Sequence, residues 1–183
     1  FKLLRLQYAY PKPDLTIKAT GYQWYWGHEY PDQGGIKVDS VMLQDNEREA
    51  LIKRGIPAPR LLAVDNEVVV PLGAVVHLLV TSRDVIHSWT IPSFGSKADG
   101  VPGRLTATWF QPTKKGAFYG QCSELCGKDH AFMPITVRVV DKPVYEQWVA
   151  TLKAGGAGAD DKAKALLENA ELADKPKSVA AAN

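Results

Sequence analysis

Apolar residues in this chain recur mostly at every second position over short runs, the period at which successive side chains of a strand face opposite sides of a sheet. From Leu15 to Tyr30, LTIKATGYQWYWGHEY is rich in Thr, Ile, Tyr and Trp with a partial period of two, which predicts a strand pair. IKVDSVML, RLLAV, EVVVPL, AVVHLLVTS, HSWTI, LTATWF, GAFYGQC and PITVRVV repeat the pattern downstream. Between them VDNE, PLG, PSFG, VPG and PTKKG supply turn chemistry. Regular short strands separated by turns predict an all-β domain over residues 15–141, a sandwich or barrel of Greek-key type.

After Asp141 the period changes. KPVYEQWVATLKA sets Val144, Trp148, Val149 and Leu152 at helical spacing behind an early proline, predicting one short amphipathic helix over 142–153 with Trp148 packed on the β domain. Residues 154–183 are rich in Ala, Gly, Lys and Asp and lack the apolar surface that offsets ordering entropy, so a flexible tail is expected, with at most a marginal helix near 160–173. Residues 1–14 open on FKLLRLQYAY, an apolar and basic mixture that reads as a juxtamembrane lead-in and marks the chain as a fragment or processed form.

Charge narrows the function. The 22 basic and 20 acidic side chains leave a formal +2, so nothing in the balance demands nucleic acid or an anionic membrane, and any charged docking patch must be local. The longest apolar run, VVVPLGAVVHLLV at 68–80, is interrupted by Pro71, Gly73 and His77 and is too short to span a bilayer, so the chain as given is expected to be soluble. Nucleophile–base pairs, phosphate loops and paired carboxylates of the kind hydrolysis needs do not stand out.

The chemistry concentrates in YGQCSELCGKDHAFMP, residues 119–134, which holds both cysteines, Cys122 and Cys126, together with His130 and Met133. The spacings of four, four and three place all four donors on one side of a helix or of a compact loop. Gly127, Pro134 and the preceding AFYG favour the loop. A disulfide between the cysteines is one reading. Zinc is a second, although its ordinary ligand set leaves Met133 without a role. Copper uses every donor, because thiolate, imidazole and thioether form a soft set. A mononuclear electron-transfer site takes one Cys, so two suggest two metals sharing bridging thiolates. Such a site needs a second imidazole. His77 sits in the apolar alternation AVVHLLV and reads as structural, His28 in WGHEY reads as surface, and His87 in DVIHSWTIP lies where a strand meets a turn and is the better candidate.

QWYW at 23–26, DVIHSWTIP at 84–92, KADGVPGR at 97–104 and GQCSELCGKDHAFMP at 120–134 together resemble the binuclear copper (CuA) domain of subunit II of haem-copper cytochrome c oxidases, in the family's order and over about Leu15 to Trp148. The resemblance implies a cupredoxin-like barrel or sandwich. It implies that Cys122 and Cys126 bridge two copper ions, that His87 and His130 each ligate one, and that Met133 and the Glu124 carbonyl complete the set. The Glu124 side chain would reach a magnesium ion shared with subunit I. Trp24 would be an exposed ring through which electrons arrive from cytochrome c, docked on Glu29, Asp39 and Asp84. Asp99 and Arg104 would face subunit I. The resemblance further implies the periplasmic or intermembrane-space face of an energy-transducing inner membrane, with attachment through two preceding membrane helices.

Two alternatives share part of the pattern. The copper domain of a nitrous oxide reductase uses a similar loop, and QWYW and KADGVPGR argue against it. A periplasmic copper-binding or assembly protein would not need the aromatic strand. Tyr22 and GHEY depart from the His and SYEY of many relatives, at positions outside the implied ligand set.

Overall fold

Alternation along the strands decides which side chains meet. The computed structural model describes residues 1–174. After helix α1 (Lys2–Tyr8) come strands β1 (Leu15–Tyr22), β2 (Tyr25–Tyr30) and β3 (Ile36–Ser40), then helix α2 (Asp45–Lys53). Strands β4 (Val68–Pro71), β5 (Val76–Ser82), β6 (His87–Ile91), β7 (Ser96–Gly100), β8 (Thr106–Phe110), β9 (Gly116–Gln121) and β10 (Pro134–Val140) follow. Helices α3 (Lys142–Ala154) and α4 (Ala159–Asp174) close the described chain.

The ladders form a five-stranded sheet in the order β3-β2-β1-β5-β8, a three-stranded sheet β4-β10-β9 and a two-stranded sheet β6-β7. The architecture among the described residues is therefore a sandwich of separate sheets. In the large sheet, β1 buries Leu15, Ile17 and Ala19, β2 buries Trp26, His28 and Tyr30, and β5 buries Val76, Leu78 and Val80. Each fully buried aliphatic side chain contributes about 1.5–3 kcal/mol. β10, the middle strand of its sheet, is buried at every position. Ile135, Val137 and Val139 join the core, while on the alternate positions Thr136 donates to the Leu62 carbonyl and Arg138 meets Glu67 and Glu171. β9 crosses β6 so closely that a Cβ on Gly120 would lie 1.8 Å from the Thr90 carbonyl oxygen. Glycine there joins the two small sheets.

Three local expectations are corrected. RLLAV pairs only where Val64 bridges Met42. α2 forms where no helix was expected, started by a capping box between Gln44 and Glu47. Most of the expected mobile tail is ordered: α4 buries Ala163 and Leu167, packs on α3, and pairs Glu171 with Arg138, Glu168 with Arg54 and Asp174 with Lys115. Its order comes from tertiary partners that its own composition does not show. Residues 175–183 of that expected tail lie outside the described residues. α3 buries Tyr145, Trp148 and Val149, with the Trp148 ring centroid 5.3 Å from that of Tyr30. No helix among the described residues is long and apolar enough to cross a membrane.

Candidate metal centre

Three sheets meet at one end of the sandwich. β9 and β10 are antiparallel neighbours whose Gln121–Pro134 pair closes the neck of the loop between them, residues 122–133. The β6 end carrying His87 lies beside that neck, and the Ser123 amide donates to the Ser88 carbonyl at 2.9 Å, fastening loop to strand. The turn between β1 and β2, Gln23 and Trp24, lies over the same loop.

This arrangement brings together all four donors of the cysteine loop and His87. The two sulfurs are 3.9 Å apart, both cysteines are free and buried, and the separation is well beyond a covalent S–S bond. His87 Nδ1 lies 3.8 Å from the Cys122 Sγ, and His130 Nδ1 lies 3.4 Å from the Cys126 Sγ. The Met133 sulfur is 3.5 Å from Cys126, and the Glu124 carbonyl oxygen is 3.3 Å from Cys122. Possible ligand atoms of His87, Cys122 and Cys126 all fall within 4.8 Å of one another. Two thiols, two imidazoles and a thioether facing one another make a soft donor set, which fits copper and gives Met133 a function that a zinc site would not.

The surroundings fix the donors. His87 is fully buried, and its ring lies against Gly21, where any Cβ would approach within 2.6 Å. The Trp26 ring meets it edge-on with centroids 5.8 Å apart. Asp84 Oδ1 is 2.8 Å from His87 Nε2. A carboxylate only accepts, so Nε2 carries a hydrogen and Nδ1 is the ring nitrogen turned toward sulfur, where it donates to a Cys122 thiolate when the ring is protonated and is free to ligate when it is not, the usual way an outer partner sets a ligating imidazole. Burial pushes the Cys122 thiol up, but the hydrogen bond with His87, followed by backbone groups of Glu124 and Ser88, outweighs it and lowers Cys122 to about 6. Burial and the neighbouring Cys122 charge push the Cys126 thiol the other way. The two thiols are thus pushed in opposite directions by their surroundings.

The remaining predicted residues fall into different surroundings. Glu124 is exposed. Trp24, expected as an exposed ring, is instead half-buried: its Nε1 donates to the Cys126 carbonyl at 3.3 Å, and Lys128 Nζ lies 5.6 Å from its ring centroid. Asp39 is exposed on β3, and Glu29 stands opposite Lys37 in the β2–β3 ladder. Asp84 differs from these two acids, because its oxygens accept from His87, Val85 and Gln23. Asp99 is exposed and accepts from the Ser88 hydroxyl at 2.7 Å, and Arg104 is exposed in the turn after β7. His28, read as a surface residue, is corrected. It is 1% exposed, and burial lowers it to about 3. Trp89 Nε1 donates to its Nε2 at 3.2 Å, so it serves as a neutral core acceptor. His77 lies away from the loop with Nε2 2.7 Å from the Pro11 carbonyl.

Sequence reasoning missed Asp84 as a partner of His87, although the three-residue spacing in DVIH allows it. It also missed Gln23, whose Nε2 donates to the Cys126 carbonyl at 2.8 Å. No pattern marks a polar residue in a turn for that role.

The profile of the family described as "Cytochrome C oxidase subunit II, periplasmic domain" matches residues 15–140. A probable cytochrome c oxidase subunit 2 of Rickettsia bellii is 47% identical over 173 residues, 94% of this chain and 59% of the relative. Cytochrome c oxidase subunit 2 of Cereibacter sphaeroides is 47% identical over 161 residues, 81% of this chain and 53% of the relative. The chain thus spans about half the length of the curated relatives it matches. Among solved structures, the periplasmic domain of subunit II of cytochrome oxidase (CoxB) of Bradyrhizobium japonicum superposes with a TM-score of 0.71 at 55% identity, covering 79% of this chain and 97% of that one. A mixed disulfide between a thioredoxin-like protein and subunit II of cytochrome c oxidase matches with a TM-score of 0.64 at 52% identity, covering 79% of this chain and 95% of that one.

Proposed function

The chain belongs to the family of cytochrome c oxidase subunit II periplasmic domains, and on that premise we propose that it is an electron-relay domain in which Cys122, Cys126, His87, His130, Met133 and the Glu124 carbonyl hold two copper ions. One observation carries the reading: the thiols lie side by side at 3.9 Å, with the His87 imidazole 3.8 Å from Cys122 and the His130 imidazole 3.4 Å from Cys126. That pairing of donors suits two metals better than one. When bound, copper supplies a one-electron couple.

The protein's part is to keep the donors still. His87 is locked by Asp84 and the Trp26 ring, Met133 is buried, and the loop is anchored at Ser123 and at the Cys126 carbonyl. A cage held this way changes little between charge states, which keeps the rearrangement accompanying each electron small. Trp24 offers a hydrogen-bonded link from its half-buried ring to the Cys126 backbone. We assign it to electron arrival from cytochrome c, with Glu29, Asp39 and the partly exposed Asp84 as acids that steer a basic partner and raise its association rate more than its affinity. Asp99 and Arg104, both exposed, are assigned to the contact with subunit I, and the exposed Glu124 carboxylate to a magnesium ion shared with that subunit. In the assembled oxidase the domain would stand on the periplasmic face of the energy-transducing membrane, and oxygen reduction would belong to the complex.

Metal content and electron paramagnetic resonance test this directly. Two coppers per chain with one electron shared over two equivalent nuclei are expected. Zinc, or copper with the hyperfine pattern of an isolated ion, would overturn the reading.

A further inference from the structure

The two ligand-bearing segments, β6 with His87 and the loop with Cys126, belong to different sheets, and one residue is tied to both. Gln23 donates its backbone N–H to Asp84 Oδ2 at 2.8 Å, while Asp84 Oδ1 is 2.8 Å from His87 Nε2. Its side-chain Nε2 donates to the Cys126 carbonyl oxygen at 2.8 Å. These contacts reach across 61 and 103 residues of sequence. Trp24 adds a longer bond to the same carbonyl at 3.3 Å. The following residue, Gly127, has φ +129, and a Cβ there would lie 2.9 Å from the Trp24 ring and 3.1 Å from Gln23 Nε2. Only glycine lets the loop backbone come this close beneath the turn.

We propose that Gln23 is a positioning residue of the metal centre. It acts as a clamp that fixes the Cys126 carbonyl, and through it the Cys126 sulfur, relative to the Asp84–His87 pair. A carbonyl rotates together with its peptide plane, so holding the Cys126 oxygen from above limits rotation of the residue that carries the sulfur. The clamp's two ends are independent: the backbone N–H persists in any Gln23 variant except proline, whereas the side-chain bond can be removed alone. The role differs from a surface contact with a redox partner, because it acts on the chain's own backbone whether or not a partner is present.

The inference deepens the metal-site reading and rests on it for its functional meaning, but its test does not need copper. In the reduced, metal-free chain, per-residue alkylation by iodoacetamide reads how often each buried thiol becomes accessible. In Gln23→Met, which keeps the length and loses the donor, the Cys126 rate should rise about fivefold, the effect of losing one ordinary hydrogen bond. Cys122 should change far less, and thermal unfolding should confirm an intact fold. Gln23→Glu, which sets a carboxylate against the carbonyl, should raise the Cys126 rate at least as much. An unchanged Cys126 rate in both variants, or equal rises at both thiols, would overturn the proposal. In the metal-loaded chain the same variants should shift the copper absorption bands, and unshifted bands would also count against it. Failure of the unsubstituted chain to take up two coppers would instead strike the relay reading and leave the labelling result standing.

Discussion

Arg138 offers the sharpest test of how α4 is held. Its side chain is only 5% exposed, and it makes a bidentate pair with Glu67 at 2.7 and 2.8 Å and a third contact with Glu171 on α4. Burial lowers the guanidinium pKa, but the hydrogen bonds and charge of Glu67, joined by the charge of Glu171, raise it further, so the group stays charged at every accessible pH. Glu67→Gln removes the charge opposite two of its three bonded nitrogens. Breaking a buried pair typically costs about 3–5 kcal/mol, and the retained Glu171 places the expectation near about 3 kcal/mol. For a chain of this size each kcal/mol moves the midpoint by about 2–4 °C, so a fall of about 6–12 °C is expected. Circular dichroism melts of the metal-free chain at neutral pH measure it. A shift below about 2 °C, the size expected of a surface pair, would refute the claim that Arg138 is sealed from water beneath α4.

Other outcomes follow from the same structure. Gly120→Ala should prevent stable folding, because the new methyl would sit 1.8 Å from the Thr90 oxygen; a soluble variant with an unchanged melt would contradict the sheet junction. Burial raises the Asp84 pKa, but hydrogen bonds from His87, Val85 and Gln23 outweigh it and hold the carboxyl below its ordinary value. Its stabilisation is therefore present above the unfolded carboxylate pKa and lost as pH falls through the lower folded one. Asp84→Asn should flatten the acid limb of the midpoint-against-pH curve between about pH 2 and 5, and an unchanged limb would count against that pairing. Trp24→Phe should slow electron transfer from cytochrome c several-fold while the copper absorption stays nearly unchanged, since Gln23 still holds the Cys126 carbonyl; stopped-flow kinetics decide it, and an unaltered rate removes Trp24 from the route.

What the sequence revealed depended on whether information was local. The cysteine loop was legible because its donors lie within a dozen positions, and their chemistry limits what they can bind. His87 was found because its strand carries a distinctive flank. His28 was misread although the signal existed: Trp26, His28 and Tyr30 share one face at a period of two, and the polar name outweighed the alternation. Asp84 looked like any loop acid, since nothing local shows a carboxylate turned toward a buried imidazole. α4 was taken for a tail because Arg138, Arg54 and Lys115, which hold its acids, are distant in sequence. Gln23 and Cys126 share no pattern that would announce their contact.

The sheet pairings bear on when metal can bind. β1 joins β5 in parallel and β4 joins β10 in parallel, and both pairings close large loops. Such long-range pairing is slow to form. His87, the cysteine loop and the turn carrying Gln23 stand on three different sheets, so their meeting requires each to have docked. Metal capture at this end would then act as a completion signal. A half-folded chain presents scattered thiols and imidazoles, whereas the finished one brings them to one place.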